Sequence, residues 1–463
     1  MADQDPSDEH VIRRVLAKNI LLSILDLSRG TKVVEYRKVL ERTQWLKREQ
    51  ILHLQQARLR RLLEHSYENV PYYHRLFKEK GLTPSDIKTV EDLKKLPVLK
   101  KTDIRRMPQQ LTAGNIPNNE ILQRHTGGTT AQPLMFYTTR EDLSWGTAAM
   151  LRAYGWALYE LGEKYASVWG FQADELKNPL FKIKNLIRRQ IALLNANDLS
   201  EKSMRSFAQK LERFRPQFLR GYSSCIYMLA KYLLAKRISL PDFKAIFTTA
   251  EALLPSQRIV IEKVFRCEVY DFYGSHEVPS MASECRKHSG YHIQAENVVM
   301  EFIKDGEPVV EGEAGAILVT SLQNYAMPFI RYDIGDTGKP SEEICPCGRG
   351  LPLIKSLEGR TYEWFATRDG SLIALKDFGI VFEDLPVRMF QIIQRSYDEI
   401  LIKIVKDEGY SDKHTDFIIN NIAWRDELRK LKIEVETVDS IPSERSGKKR
   451  YLISKMPMYD WVT

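Results

Sequence analysis

The sequence predicts an α/β protein, with a large N-terminal α/β domain of mixed sheets and a smaller C-terminal α+β domain. Three features carry that reading. Apolar positions at helical spacing dominate the chain up to residue 240. Four short runs rich in Val, Ile, Phe and Tyr follow, with helical stretches around them, as in an α/β domain. The last stretch has the order strand, strand, helix, strand, and its roughly one hundred residues suffice for a separate unit.

Residues 1–110 read as a helical region of the large domain. Residues 46–66 place apolar side chains at helical spacing among Gln, Arg and Glu, and Asn69-Val70-Pro71 stops that helix. Thr89-Val90-Glu91-Asp92 is a capping-box variant with Asp as its acid, which signals a second helix ending at Pro97. Residues 111–359 are expected to form the core of the large domain. Within them, 143–240 reads as mainly helical, and 243–250, 267–273, 297–303 and 316–322 read as buried strands. The boundary is expected near Glu358–Tyr362. Residues 360–463 then supply strands at 390–394 and 399–405, a helix over 411–431 and a strand over 432–438.

Composition narrows the function classes. With 43% hydrophobic and 28% charged residues and no repeat, the chain has a globular, enzyme-like make-up and not a disordered one. Five cysteines in 463 residues make no disulfide scaffold, so a reduced, cytoplasmic protein is expected. The net charge of +8 fits a phosphate-bearing partner. Its basic residues are spread over segments such as 94–106 and 181–189, which ranks nucleic acid well below nucleotide. No secretory signal precedes the first helical stretch, and the apolar run Ile20–Leu27 is too short to span a bilayer. Residues 10–29 read as a basic helix packed on its own domain, with peripheral membrane contact as the alternative.

His125-Thr126-Gly127-Gly128-Thr129-Thr130-Ala131-Gln132-Pro133 is the segment richest in chemical meaning. Adjacent glycines let a backbone approach an anion, and Thr126, Thr129 and Thr130 add hydroxyl donors beside exposed N–H groups. The spacing matches neither a P-loop nor a dinucleotide fingerprint. A polar turn between strands has the same composition. Three later segments complete a phosphate chemistry.

Tyr273-Gly274-Ser275-His276-Glu277 closes an expected strand, where the ligand crevices of α/β sheets form. There an aromatic ring can stack on a purine, and the carboxylate of Glu277 can hold Mg2+. Arg331-Tyr332-Asp333-Ile334-Gly335-Asp336 offers Asp336 as an acceptor for ribose hydroxyls. Residues 442–450, Pro-Ser-Glu-Arg-Ser-Gly-Lys-Lys-Arg, combine a flexible turn with cations, one of which can neutralise charge on an α-phosphate.

Cys345 and Cys347, with Cys285 and either His288 or His292, make a Cys3His set of the composition usual for a closed, structural zinc site. Three free thiols are the alternative. Trp169, Phe171, Tyr222 and Ser223 are candidate lining residues for an acid pocket.

In this order the four segments resemble the adenylate-forming (acyl-activating) superfamily. Within it the chain is most similar to the phenylacetate-CoA ligase-like branch and its capsular-polysaccharide CapK-type members. Asn69-Val70-Pro71-Tyr72-Tyr73, Leu93–Lys100, Arg220-Gly221-Tyr222-Ser223-Ser224 and Cys345-Pro346-Cys347-Gly348-Arg349 extend the resemblance over nearly the whole chain. It implies that Thr126, Gly127, Gly128, Thr129 and Thr130 grip ATP phosphates, and that Tyr273, with Gly274 and Ser275, packs on adenine. Ala250 and Glu251 would line the adenine pocket. Glu277 would bind Mg2+, Asp336 the ribose, Arg360 the hinge side of the nucleotide, and Lys448 would be the catalytic lysine.

The resemblance also implies His292 as the fourth zinc ligand and a C-terminal domain that moves between two steps. Those steps are formation of an acyl adenylate, then acyl transfer, commonly to coenzyme A. An amine or hydroxyl acceptor on a surface polysaccharide is the alternative, and a zinc-stabilised nucleic-acid-binding protein is the reading from another class. The chain departs from the family pattern at Gly127, Ala131 and Tyr362, and no lysine follows Pro133.

Overall fold

Twelve strands join into one mixed sheet, whose parallel half supplies the crevice and whose antiparallel half supplies its opposite wall. The computed structural model describes residues 22–126, 134–170, 190–361, 364–368, 372–375, 378, 380–382, 385–422, 428, 431–442, 449–456 and 461–462.

The N-terminal region is helical as expected: α1 (Leu22–Arg29), α2 (Val33–Thr43), α3 (Arg48–Asn69), α4 (Pro71–Glu79) and α5 (Lys101–Arg106). Pro71 does stop α3, but it also starts α4, because its missing N–H costs nothing at a first helical position. The expected helix after Thr89 is only a short 3-10 turn, Glu91–Lys95. There Asp92 accepts the backbone N–H groups of Lys88 and Thr89.

A hairpin of β1 (Ile121–His125) and β2 (Met135–Thr139) flanks residues 127–133 and leads into α6 (Arg140–Trp156). The Thr139 hydroxyl caps α6 by accepting from the Asp142 N–H. Trp145, Ala148, Ala149, Ala153 and Trp156 recur at helical spacing and bury one face of α6, with Trp145 stacked on Tyr36 of α2 at 4.0 Å.

The stretch 143–240, expected to be mainly helical, alternates instead. It contains β3 (Tyr165–Trp169), β4 (Gln190–Asn195), α7 (Glu201–Phe214), β5 (Phe218–Tyr222) and α8 (Ser223–Ala235). Its strands are only five or six residues long, too short for a periodicity reading to separate from helix. Beyond it the expected strands are present as β6 (Ala245–Thr249), β7 (Val269–Tyr273), β10 (Val298–Lys304) and β12 (Gly315–Ser321). Between them lie α9 (Pro255–Phe265), the short β8 (Ala282–Glu284) and β9 (Tyr291–Ile293), and β11 (Glu307–Pro308). Two long strands, β13 (Tyr332–Ser341) and β14 (Leu353–Arg360), complete the sheet.

Sheet order is β11-β10-β12-β13-β14-β9-β8-β7-β6-β5-β3-β4. Pairing is parallel from β7 through β6, β5 and β3 to β4, and antiparallel from β7 to β11. β12 is buried at all seven positions, as a central strand must be.

Beyond β14, β15 (Trp364–Ala366) pairs with β16 (Leu372–Ala374). A four-stranded sheet follows, built from β17 (Val387–Ser396), β18 (Glu399–Lys406), β19 (Lys432–Thr437) and β20 (Leu452–Ser454), with α10 (Asp412–Ile422) against it. Ile392, Ile400, Ile402, Ile404, Ile418, Ile422 and Leu452 form its own core. Of the helix expected over 411–431, α10 covers Asp412–Ile422, and residues 423–427 and 429–430 lie outside the described set.

One buried ion pair fastens the layers of the large domain. Arg152 of α6 donates to both carboxylate oxygens of Glu296, at 2.7 and 3.0 Å, and to the Leu40 carbonyl of α2 at 2.8 Å. Both side chains are fully excluded from solvent. Removing one partner strands the other charge in a dry interior, which costs about 3–5 kcal/mol, whereas apolar replacement of both costs far less. Arg152→Met is therefore expected to lower the urea unfolding midpoint sharply. The double variant Arg152→Met/Glu296→Leu should recover at least half of that loss.

Candidate active site

Because β3, β5, β6 and β7 are parallel, their C-terminal residues Trp169, Tyr222, Thr249 and Tyr273 lie along one edge of the sheet, where α/β sheets hold ligands. Next to this edge, the start of β13 and the end of β14 bring in a second set of polar groups. The Tyr273 hydroxyl donates to Asp336 Oδ2 at 2.8 Å, and Arg360 Nε lies 3.0 Å from Asp336 Oδ1. Burial and the facing carboxylate keep the Tyr273 hydroxyl protonated far above the usual phenol range.

Glu277 is buried beside them. Its Oε1 accepts from the Tyr332 hydroxyl at 3.0 Å and lies 3.8 Å from Lys101 Nζ. Lys101 reaches this point because residue 99 bridges to β13: the Leu99 N–H donates to the Arg331 carbonyl, and the Asp333 N–H donates to the Leu99 carbonyl. The turn carrying Glu277 is closed by Ser275, whose N–H donates to the Val278 carbonyl while its hydroxyl oxygen accepts the Val278 N–H. Gly274 sits where a Cβ would come within 2.8 Å of the Ser280 nitrogen, so no side chain fits there.

Thr126 closes the base of the threonine-glycine segment. It donates its N–H to the Leu134 carbonyl and accepts the Leu134 N–H on its hydroxyl, 2.9 Å in each case. Gly127, Gly128, Thr129 and Thr130 lie outside the described residues, as do Phe171 and Lys448.

Ala250 follows β6 with φ +73°, in the left-handed region, and such backbone strain gathers at functional sites. It presents Glu251, whose Oε2 accepts the Ser224 N–H at 3.0 Å and whose Oε1 accepts the Lys449 N–H at 2.8 Å. One carboxylate thus joins the first turn of α8 to the segment that follows Lys448. Lys449 is half-buried, and burial pulls its ammonium below the usual lysine range. Trp169 packs on Tyr222 at 4.8 Å between ring centroids. Ser223 is fully buried and donates to the Glu251 carbonyl, so its hydroxyl serves this junction and does not line open space.

A second constellation lies on the other side of the sheet junction. Cys285, His292, Cys345 and Cys347 bring their ligand atoms within 4.8 Å of one another. Cys285 Sγ and Cys345 Sγ are 3.7 Å apart, close to the roughly 3.8 Å edge that tetrahedral zinc with Zn–S near 2.3 Å requires. His292 Nε2 lies 3.3 Å from Cys347 Sγ. Burial alone would raise the Cys347 thiol, but bonds from His292 and Arg349 bring it down to about 5, into thiolate range at neutral pH. His288 points elsewhere, toward Glu284 at 3.5 Å. Of the two histidines the sequence leaves open, geometry brings only His292 to the thiols.

Residues 365–455 match the model of the CapK C-terminal domain. Protein CapK of Staphylococcus aureus is 27% identical over 418 residues, covering 88% of this chain and 90% of that protein. A phenylacetate-coenzyme A ligase of Thermus thermophilus is 27% identical, covering 79% and 83%. The crystal structure of 2-hydroxyisobutyryl-CoA ligase in its postadenylation state shares the fold at TM-score 0.74 and 21% identity, covering 89% of this chain and 91% of that one.

Over most of its length the chain is thus similar to CapK and to phenylacetate-coenzyme A ligases, and it shares the fold of 2-hydroxyisobutyryl-CoA ligase.

Three groups at this site escaped the sequence reading. Tyr332 and Lys101 flank Glu277, and Lys449 adjoins Glu251. Each is next to a residue that was singled out, in sequence or across the residue 99 bridge, and only the pairing of chain segments separates them from surface neighbours. Glu251→Ala removes the acceptor from two backbone amides, those of Ser224 and Lys449. Hydrogen exchange at Ser224 and Lys449 is expected to quicken roughly tenfold, the loss of about 1–2 kcal/mol of local protection. Unchanged exchange at Lys449 would show that Glu251 does not hold the C-terminal segment.

Proposed function

We propose that the protein activates a carboxylic acid with ATP to an acyl adenylate, releasing pyrophosphate, and then transfers the acyl group to coenzyme A. The observation that carries this reading is the convergence of Tyr273, Asp336 and Arg360 beside Glu277 and Lys101 at the strand ends. In it, residues 111–359 are the adenylation core and 360–463 the lid that carries the lysine.

A carboxylate oxygen of the acid attacks the α-phosphorus, and the bond to the pyrophosphate oxygen breaks with its electron pair. The acceptor thiol then attacks the acyl carbon and AMP leaves. Asp336 accepts from the ribose hydroxyls, and Arg360 fixes its carboxylate in place. The Tyr273 ring packs on the adenine, and Ala250 and Glu251 border it. Glu277 is an oxygen donor that would hold Mg2+, whose charge would offset that of the phosphates. Lys101 adds a cation beside Glu277, and the Thr126 hydroxyl with residues 127–130 holds the phosphates. Lys448, delivered by the lid, neutralises charge gathering on the α-phosphate.

Cys285, His292, Cys345 and Cys347 hold a structural zinc ion in this reading. The 3.7 Å thiol spacing and the depressed Cys347 thiol support it. Four protein ligands leave no open position, so the ion's part is to clamp the turn at 345–347 onto β9.

A second reading, acyl transfer to an amine or hydroxyl of a surface polysaccharide, draws on the likeness to CapK over 88% of the chain and on the CapK C-terminal match. A cytoplasmic site of action suits both. Among the described residues no helix is long and apolar enough to cross a membrane.

A panel of carboxylic acids, assayed for AMP release with and without coenzyme A, separates the readings. AMP release coupled to thioester is expected. If AMP forms but no thioester does, the acceptor assignment falls; if no acid yields AMP and nucleotide does not bind, the activity itself does. Lys448→Ala should reduce ATP–pyrophosphate exchange by roughly 100-fold or more with an unchanged melting temperature. The purified protein should carry one zinc per chain, and Cys345→Ser should lose it along with thermal stability.

A further inference from the structure

Beneath the Tyr222 end of the crevice lies a cation with no counter-charge among the described residues. Arg220 is two residues before Tyr222 on β5 and shares its face of the strand. Its guanidinium carbon is 5.1 Å from the Trp169 ring and 5.8 Å from the Tyr165 ring, and the Tyr154 hydroxyl bonds to its head. Its Nε is buried with no hydrogen-bond partner. Among the described residues no carboxylate forms an ion pair with it. Yet the residue keeps some accessible surface, as do Trp169 and Gly170 beside it.

A guanidinium cannot shed its charge, and desolvating it without a counter-charge is costly. The Tyr154 bond and cation–π contact with Trp169 and Tyr165 recover only a part. A carboxylate arriving with the ligand supplies the rest, in the planar geometry for which Arg is suited. The position fits a substrate's far end. β5 is two strands from β7, a distance of roughly 10 Å, so an acid whose reacting carboxylate faces the Tyr273–Asp336 end extends toward Arg220.

We propose that Arg220 recognises a second anionic group on the acid, so that the preferred substrates are dicarboxylic rather than simple monocarboxylic acids. This rests on the adenylating reading above, and the Trp169–Tyr222 pair is the wall along which such an acid lies.

The test compares acids matched in length, butyrate with succinate, hexanoate with adipate and phenylacetate with 4-carboxyphenylacetate, by kcat/KM for AMP release. The wild-type protein is expected to favour at least one diacid over its partner by roughly tenfold or more. Arg220→Met should bring that ratio down to about one, and Arg220→Lys, which keeps a positive charge, should retain part of it. A wild-type ratio near or below one for every pair overturns the proposal, as does a ratio that Arg220→Met leaves unchanged. Should neither variant fold, the wild-type ratio decides alone. If monocarboxylates release AMP while diacids do not, only the role of Arg220 falls. If no acid of either kind does, the adenylating reading falls with it.

Discussion

A guanidinium and a carboxylate with no access to water hold the layers of the large domain in register. Arg152 comes from α6 and Glu296 from the connection between β9 and β10. Around them, Leu40 and Thr43 of α2 and Arg58 of α3 add bonds to the same pair or its backbone. Burial alone would raise the Glu296 carboxyl, but Arg152 and Thr43 hold it below the usual range, so the charge stays in the interior. With that pair in place α6 lies flat on the sheet, and its last residue, Trp156, meets the edge of the His292 ring at 5.3 Å. The geometry of the cysteine cluster thus begins at a buried charge pair on a different element.

The crevice follows from sheet topology. Four parallel strands bring Trp169, Tyr222, Thr249 and Tyr273 to one edge, and the change to antiparallel pairing at β8 lets β13 and β14 return with Asp336 and Arg360. A tyrosine, a carboxylate and a guanidinium from three strands then fix one another's rotamers. Glu251 extends the arrangement beyond the sheet by bonding an amide of α8 and an amide of the C-terminal segment. This acceptor lies between α8 and the C-terminal segment, next to Ala250 in the left-handed region.

Much of this was legible in the sequence because it depends on local chemistry. Tyr273, Glu277 and Asp336 were singled out by the order of the segments that carry them and the resemblance it makes, since each segment alone reads as an ordinary turn. The strands after residue 240 were legible because their side chains are apolar or β-branched in short runs. β3, β4 and β5 were read as helix, since five or six buried residues have no period of their own. Lys101 and Tyr332 were overlooked because their partner, Glu277, is distant in sequence and reached only through the bridge at residue 99.

By itself, the sequence determined the fold class, a family resemblance, and the set of cysteines from which a metal site could be drawn, because periodicity, composition and motif order survive without coordinates. Spacing alone left both His288 and His292 open, since both lie within eight residues of Cys285, and the resemblance pointed to His292. The tertiary structure sends His288 toward Glu284 and brings His292 beside Cys347. It alone exposed Arg220 as a partly buried cation with no carboxylate beside it among the described residues and an unpartnered Nε, because pairing is a property of the surroundings and not of the residue. Charge and type are written in the chain, whereas solvation and pairing arise only when distant segments pack.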